Sequence, residues 1–128
     1  MIKPVSVVHS ALRISDAEKT RDFYQGILGL DTLPRPNFPQ GGYWFGAGQS
    51  QIHVIVSKEG DMAGPGQPDP IGPHIAIEVE DFEATMQTLK ERGIPFLLPK
   101  DFGMKNVAGY QLWILDPDGH TVELRKDG

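Results

Sequence analysis

HSALRISDAEKT, residues 9–20, and HIAIEVEDFEAT, residues 74–85, stand 65 positions apart and share five residues in register: His9 with His74, Ala11 with Ala76, Asp16 with Asp81, Glu18 with Glu83 and Thr20 with Thr85. Each segment passes from a period of two to a helical period. From Val7 to Ile14, Val8, Leu12 and Ile14 fall with Ser10 on one face of a strand, and His9, Ala11 and Arg13 fall on the other. The apolar face is expected to be the buried one. Ser15 and Glu18 have the spacing of a capping box, so a helix is expected from about Asp16 to Leu28, burying Phe23, Tyr24, Ile27 and Leu28 and stopping at Gly29. In the second segment a strand spans His74 to Val79. A helix spans Asp81 to Arg92, with Phe82, Met86 and Leu89 on one face and Gly93 as its stop.

The pattern continues after each helix. Leu33 to Gly42, with three prolines, reads as a loop, and Tyr43 to Phe45 and Gln51 to Val56 read as strands joined at Gly46 to Gly48. In the second half Tyr110 to Leu115 and Thr121 to Leu124 are strands. Asp116-Pro117-Asp118-Gly119 between them has the residues a type I turn favours. The expected fold class is α+β, a βαβββ unit used twice. A unit that cannot bury its own apolar face is the physical reason for such duplication. Module 1 is placed at 5–57, a Pro/Gly-rich linker at 58–72 and module 2 at 73–126, within one domain of 128 residues.

Composition narrows the function. Hydrophobic residues make up 39% and charged residues 23%, a globular balance. Leu112 to Leu115 is the longest apolar run, far short of the roughly 20 residues of a membrane span, and no charged-then-apolar leader opens the sequence, so a soluble, cytoplasmic protein without a membrane partner is expected. Net charge is −5 with Lys and Arg scattered, which argues against a nucleic-acid groove. With no cysteine, thiolate metal sites, disulfides and cysteine nucleophiles are excluded, leaving four histidines and the carboxylates as candidate ligands.

Alternation along the strands puts His9, His53, His74 and Glu123 opposite the face each helix should cover. His9 and His74 lie early in the first strand of their modules, and His53 and Glu123 lie in the last. A pseudo-twofold pairing of modules would gather all four, and imidazole with carboxylate suits a divalent transition metal. His120, after the turn glycine, stands outside this set and is expected to be exposed.

His9-Ser-Ala-Leu-Arg-Ile-Ser-Asp16, Phe23-Tyr24 with Leu28-Gly29-Leu30, His74-Ile-Ala-Ile-Glu-Val79, and Asp116-Pro-Asp-Gly119 leading to Val122-Glu123-Leu124 together resemble the vicinal oxygen chelate superfamily, the glyoxalase, bleomycin-resistance and extradiol-dioxygenase group. The resemblance implies paired βαβββ modules forming a cleft around a metal, with one ligand from the first and one from the fourth strand of each module. Those positions are again His9, His53, His74 and Glu123. His53 departs from the glyoxalase pattern, where a glutamate is usual. Arg13 matches an arginine that contacts glutathione in bacterial lyases, whereas Ser57 stands where such lyases often present asparagine.

Three functions follow from the resemblance. In a glyoxalase-like lyase or isomerase, a metal (Fe, Ni, Zn, Mn or Co) would chelate two neighbouring oxygens of a small substrate and stabilise an enediolate, with Glu123 as catalytic base. In an extradiol-type Fe(II) dioxygenase, His9, His74 and Glu123 alone would bind the metal and His53 would be a nearby base. In a metal-free drug-binding protein the pocket would hold an aromatic ligand. Filling all four ligand positions favours the first two. Arg13, Trp44 and Trp113 are the candidate substrate contacts, with Tyr43 and Phe45 beside them in the cleft. A homodimer is expected because short modules leave sheet edges open.

Overall fold

The structure, a computed structural model, describes residues 1–57, 66–105 and 107–127. The chain divides into two compact units, Met1–Met62 and Ala63–Gly128. Part of the expected linker, residues 58–65, lies outside the described residues.

The first unit runs β1 (His9–Ile14), α1 (Ala17–Arg21) continuing into a π-helical stretch (Asp22–Ile27), β2 (Asp31–Leu33), β3 (Gly42–Ala47) and β4 (Ser50–Val56). Its sheet has the order β1-β4-β3-β2. The strand β1 lies parallel to β4 with Ala11 opposite His53, while β3 lies antiparallel on the other side of β4 with Trp44 opposite His53. The helix-side face carries the core: Ile14, Tyr24, Phe45 and Val54 are fully buried. Phe45 meets the Tyr24 ring at 5.4 Å. Side chains of this size contribute about 1.5–3 kcal/mol each by leaving water.

The second unit runs β5 (His74–Glu78), α2 (Phe82–Glu91), a 3₁₀ turn (Pro99–Phe102), β6 (Tyr110–Leu115) and β7 (Thr121–Lys126). Its sheet order is β5-β7-β6. Ala76 lies opposite Glu123 in the parallel pair and Trp113 lies opposite Glu123 in the antiparallel one. Where β2 would repeat, only a bridge between Leu97 and Trp113 forms. Pro95 and Pro99 flank it, and proline has no N–H to extend a ladder. Leu89, Leu112, Ile114, Val122 and Leu124 form the core.

Both units are thus α+β, as the duplicated pattern predicts, with three local corrections. Asp16, not Ser15, caps α1: its carboxylate accepts Glu18 N–H and Lys19 N–H, both at 3.0 Å. Asp81 caps α2 at the equivalent place, its carboxylate accepting Ala84 N–H at 3.0 Å, with nearly the same backbone angles, φ −134° and ψ 107° against −136° and 111°. Glu18 turns instead to the Tyr43 hydroxyl and to Arg21. Second, the first helix is not α-helical to Leu28. The Leu28 N–H reaches the Phe23 carbonyl, five residues back, at 3.0 Å. The wider turn lets the consecutive Phe23 and Tyr24 both be buried, whereas Ile27 and Leu28 are only half-buried. Third, Val8 is 64% exposed rather than buried. It precedes the ladder, to which it gives only its carbonyl, accepting from Gln51 N–H at 3.1 Å.

Candidate metal half-sites

Each unit brings one pair of the expected ligands together, by the same construction. The first-strand histidine sits two residues before an alanine that is paired with the last-strand ligand, so both side chains emerge on one face at neighbouring rungs.

In the first unit the His9 and His53 rings stack, with centroids 4.0 Å apart and planes 13° from parallel. Trp44 covers the other face of His53 at 4.0 Å and 2°. His53 Nε2 lies 2.8 Å from Gln51 Oε1. Burial, then the neighbouring His9 imidazole and Arg35 guanidinium, hold the His53 pKa below its usual value. Neutral imidazole is the form that binds metals. Arg13 shares the His9 face of β1 and is exposed.

In the second unit His74 Nε2 is 3.3 Å from Glu123 Oε1. The other ring nitrogen, Nδ1, is 2.9 Å from the Gly72 carbonyl oxygen. A carbonyl only accepts, so Nδ1 carries a proton and Nε2 is the nitrogen that faces the carboxylate. A nitrogen and a carboxylate oxygen in that arrangement are held by a proton or a cation between them. Gly72 is itself held by Asp69, whose Oδ1 accepts from Ile71 N–H at 2.9 Å and Gly72 N–H at 3.0 Å. These bonds keep the Asp69 carboxyl below the usual carboxylate range. Glu123 is 6% exposed, accepts Trp113 Nε1–H at 3.1 Å, and has Arg125 3.6 Å from its second oxygen. By donor type, imidazole nitrogens in the first unit, and an imidazole nitrogen with a carboxylate in the second, are each of the kind that suits a divalent transition ion.

Among the described residues no group of three or more His, Asp or Glu side chains is close enough to hold a metal ion; the ligands come as pairs. His120 is half-buried rather than exposed, because its N–H and carbonyl are both tied to Asp116 across the turn. Tyr43 and Phe45 are paired with Val54 and Ile52 and face the helix, not the His53 side. Trp113, expected to touch substrate, is 2% exposed and meets Glu123 instead. Gln51, Asp69, Gly72 and Arg125 escaped the sequence reading. Gln51 and Arg125 sit two residues from a ligand on the same strand face, a signal that period two carries.

No helix among the described residues is long and apolar enough to cross a membrane. The profile of the Glyoxalase/Bleomycin resistance protein/Dioxygenase superfamily matches residues 6–124. A lactoylglutathione lyase of Pseudomonas aeruginosa is 30% identical over 143 aligned residues, covering 91% of this chain and 79% of that protein. Among solved structures, a glyoxalase family protein from Bacillus anthracis superposes with a TM-score of 0.83 at 22% identity, and an antibiotic binding protein from Streptomyces sp. CB03234 with 0.70 at 23%; both comparisons cover 100% of each chain. At those identities the structures establish the fold, while the lyase relative supports an enzyme of glyoxalase type. The chain belongs to the glyoxalase/bleomycin resistance/dioxygenase superfamily.

Proposed function

We propose that the protein is a metal-dependent lyase or isomerase of glyoxalase type, acting on a small substrate that presents two neighbouring oxygens. In this reading His9, His53, His74 and Glu123 share one divalent ion, within a chain or across a homodimer. The observation that carries it is the convergence of His74 Nε2 and Glu123 Oε1 at 3.3 Å, with the other ring nitrogen, Nδ1, already committed to Gly72. When bound, the ion supplies charge stabilisation to oxygen atoms of the substrate. Glu123 moves a proton between adjacent carbons, because it is the one carboxylate of the set and Trp113 fixes one of its oxygens. His9 and His53 orient the substrate by holding their side of the site. Arg13, on the His9 face, is placed to meet an anionic part of the substrate.

Lactoylglutathione, in the relative's name, is a thioester isomeric with the hemithioacetal of a 2-oxoaldehyde and glutathione. That hemithioacetal is the first substrate to test, using protein stripped of metal and reloaded with Fe(II), Ni(II), Zn(II), Mn(II) or Co(II). Isomerisation by one loaded form and not by the stripped form is the expected result. Equal rates with and without metal would refute the reading.

One observation favours a second reading. His53 Nε2 is engaged by Gln51, so a metal binding there displaces Gln51 or leaves His53 beside the ion. Without His53, the set of two histidines and one carboxylate leaves room for a diol and O₂, as an extradiol dioxygenase needs. Catechol-dependent O₂ uptake by the Fe(II) form would establish it over isomerisation.

The dimer is part of the proposal. The strands β1 and β5 are each an edge of their sheet, and Val5, Val7 and Val8 leading into β1 are exposed. Light scattering at micromolar concentration should give twice the 14.1 kDa chain mass; a monomer mass would refute this.

A further inference from the structure

The two tryptophans occupy equivalent places. Trp44 of β3 is the antiparallel partner of His53, and Trp113 of β6 is the antiparallel partner of Glu123. Each lies directly across from the last-strand ligand of its unit, yet they touch it differently. Trp44 offers its face, lying 4.0 Å from the His53 ring and 2° from parallel, with His9 on the opposite face at 4.0 Å. Trp113 offers its edge, donating Nε1–H to Glu123 Oε1 at 3.1 Å. Phe102 packs edge-on against Trp113 at 5.5 Å and 89°, and the Leu97 bridge holds its backbone.

The difference follows the ligand. An imidazole binds metal through an in-plane nitrogen, so it is best held by its faces, leaving both edges open. A carboxylate has no aromatic face and is fixed by a donor on one oxygen, leaving lone pairs for an ion. We infer that Trp44 and Trp113 are repeat-related positioning residues, one stacking His53 and the other hydrogen-bonding Glu123, that preset the last-strand ligands for a divalent cation. Trp113 is also the nearer of the two fixed donors to that buried carboxylate, its indole N–H at 3.1 Å against the Arg125 guanidinium at 3.6 Å.

The inference rests on the metal reading above, and one experiment separates the two. Full-length protein, stripped with chelator, is titrated with Co(II), and affinity and ligand-field absorption are read together. The same substitution, tryptophan to phenylalanine, should be tolerated at one place and not at the other. Trp44→Phe keeps an aromatic face and should leave Co(II) affinity within about twofold of wild type, whereas Trp44→Leu should weaken it about 5-fold. Trp113→Phe keeps a ring but deletes the N–H, and should weaken Co(II) binding about 10-fold or more and shift the ligand-field bands. Because Trp113 is buried, an isostere guards against a packing artefact. In the Trp44→Phe background Trp113 is the only tryptophan, and biosynthetic replacement by benzothienylalanine exchanges its N–H for sulfur at constant shape. This protein should show the same loss of Co(II) affinity with an unfolding midpoint no lower than that of Trp113→Phe, because both lose the N–H and only the phenylalanine also changes the packing. Wild-type affinity in the benzothienylalanine protein, or an equal loss for Trp→Phe at both places, would overturn the inference and leave the metal reading standing. Failure of wild-type protein to bind Co(II) would overturn both.

Discussion

Replacing Glu123 by glutamine separates a ligand from a structural ion pair. The carboxylate is 6% exposed and has three polar neighbours: Trp113 Nε1–H at 3.1 Å, His74 Nε2 at 3.3 Å and Arg125 at 3.6 Å. Glutamine can keep the Trp113 bond through its amide oxygen. What is lost in the metal-free protein is the charged character of that bond and of the His74 contact, which meets the same oxygen, about 1 kcal/mol each, and a partly exposed Arg125 pair worth about 0–1 kcal/mol. What is gained is relief from burying a charge, which costs a few kcal/mol when partners are incomplete. The terms nearly offset. The stripped Glu123→Gln protein should therefore unfold within about 1 kcal/mol of wild type, roughly 4 °C in Tm for a chain of this size.

Function should change far more. Under the isomerase reading the substitution removes both a metal ligand and the proton carrier, and general base catalysis alone accounts for about 10²- to 10⁴-fold. Thermal unfolding in chelator, Co(II) titration and hemithioacetal turnover measure the three quantities on one preparation. The expected result is near wild-type stability, Co(II) affinity down at least about 10-fold and kcat down at least about 100-fold. A loss above about 3 kcal/mol with turnover retained would show Glu123 to be a structural ion-pair partner and refute the argument.

Gly42 has φ 156°, and a Cβ placed there would lie 2.0 Å from the Val54 carbonyl oxygen, so Gly42→Ala should destabilise by about 3 kcal/mol or more by urea unfolding. A midpoint equal to wild type would mean that β3 pairs differently there. Asp69 is held below its ordinary pKa of 3.8 by Gly72 and Ile71 N–H groups, so its contribution is present above that pH and lost as pH falls through the lower folded value. Between pH 5 and 3 wild type should lose more stability than Asp69→Asn; parallel curves would contradict this. The depressed His53 pKa acts with the same sign in a higher pH window: the unfolded chain takes up a proton first, so stability should decline as pH drops below about 6.5, and His53→Gln should flatten that decline.

Local signals were legible where they recur. The two dodecapeptides place β1, α1, β5 and α2 because alternation, caps and stop glycines act within a few residues, and Gly29 and Gly93 do take positive φ, 76° and 67°. The repeat register also held the answer to the capping question: Ser15 aligns with Glu80, which is no cap in the second unit, whereas Asp16 aligns with Asp81, which is. The three-residue strand β2 is too short to show a period. The π-helical stretch is hidden because adjacent apolar residues, Phe23 and Tyr24, read equally well on an α-helix. Strand faces sorted the ligands into pairs, but what holds each pair is nonlocal. The placement of Trp44 and Trp113 against the ligands appears only once the antiparallel register is known.

That register leads to a last prediction, at the residue that departs from the glyoxalase pattern. Reverting His53 to glutamate looks like a restoration, and the surroundings say otherwise. A carboxylate at 53 would enter a slot whose walls are the faces of Trp44 and His9, each about 4 Å from the ring it replaces. Aromatic faces carry negative charge density and repel an anion. Trp44 presents no N–H to it, unlike Trp113 beside Glu123. Gln51 can give one amide hydrogen bond after turning its oxygen away, and the Arg35 guanidinium, which lowers the His53 pKa, acts on the slot through space. That attraction offsets only part of the desolvation, so a buried carboxylate here costs about 1–3 kcal/mol. His53→Glu should therefore be less stable than His53→Gln by that amount at pH 7.5. The deficit should shrink toward pH 5, since burial raises the pKa of a carboxyl and the protonated form is the one the slot tolerates. Added Co(II) should recover most of the loss, because a dication supplies the missing partner. Equal stability of the two variants at pH 7.5 without metal would show that the slot already accepts a carboxylate, and that the histidine is there for its chemistry alone.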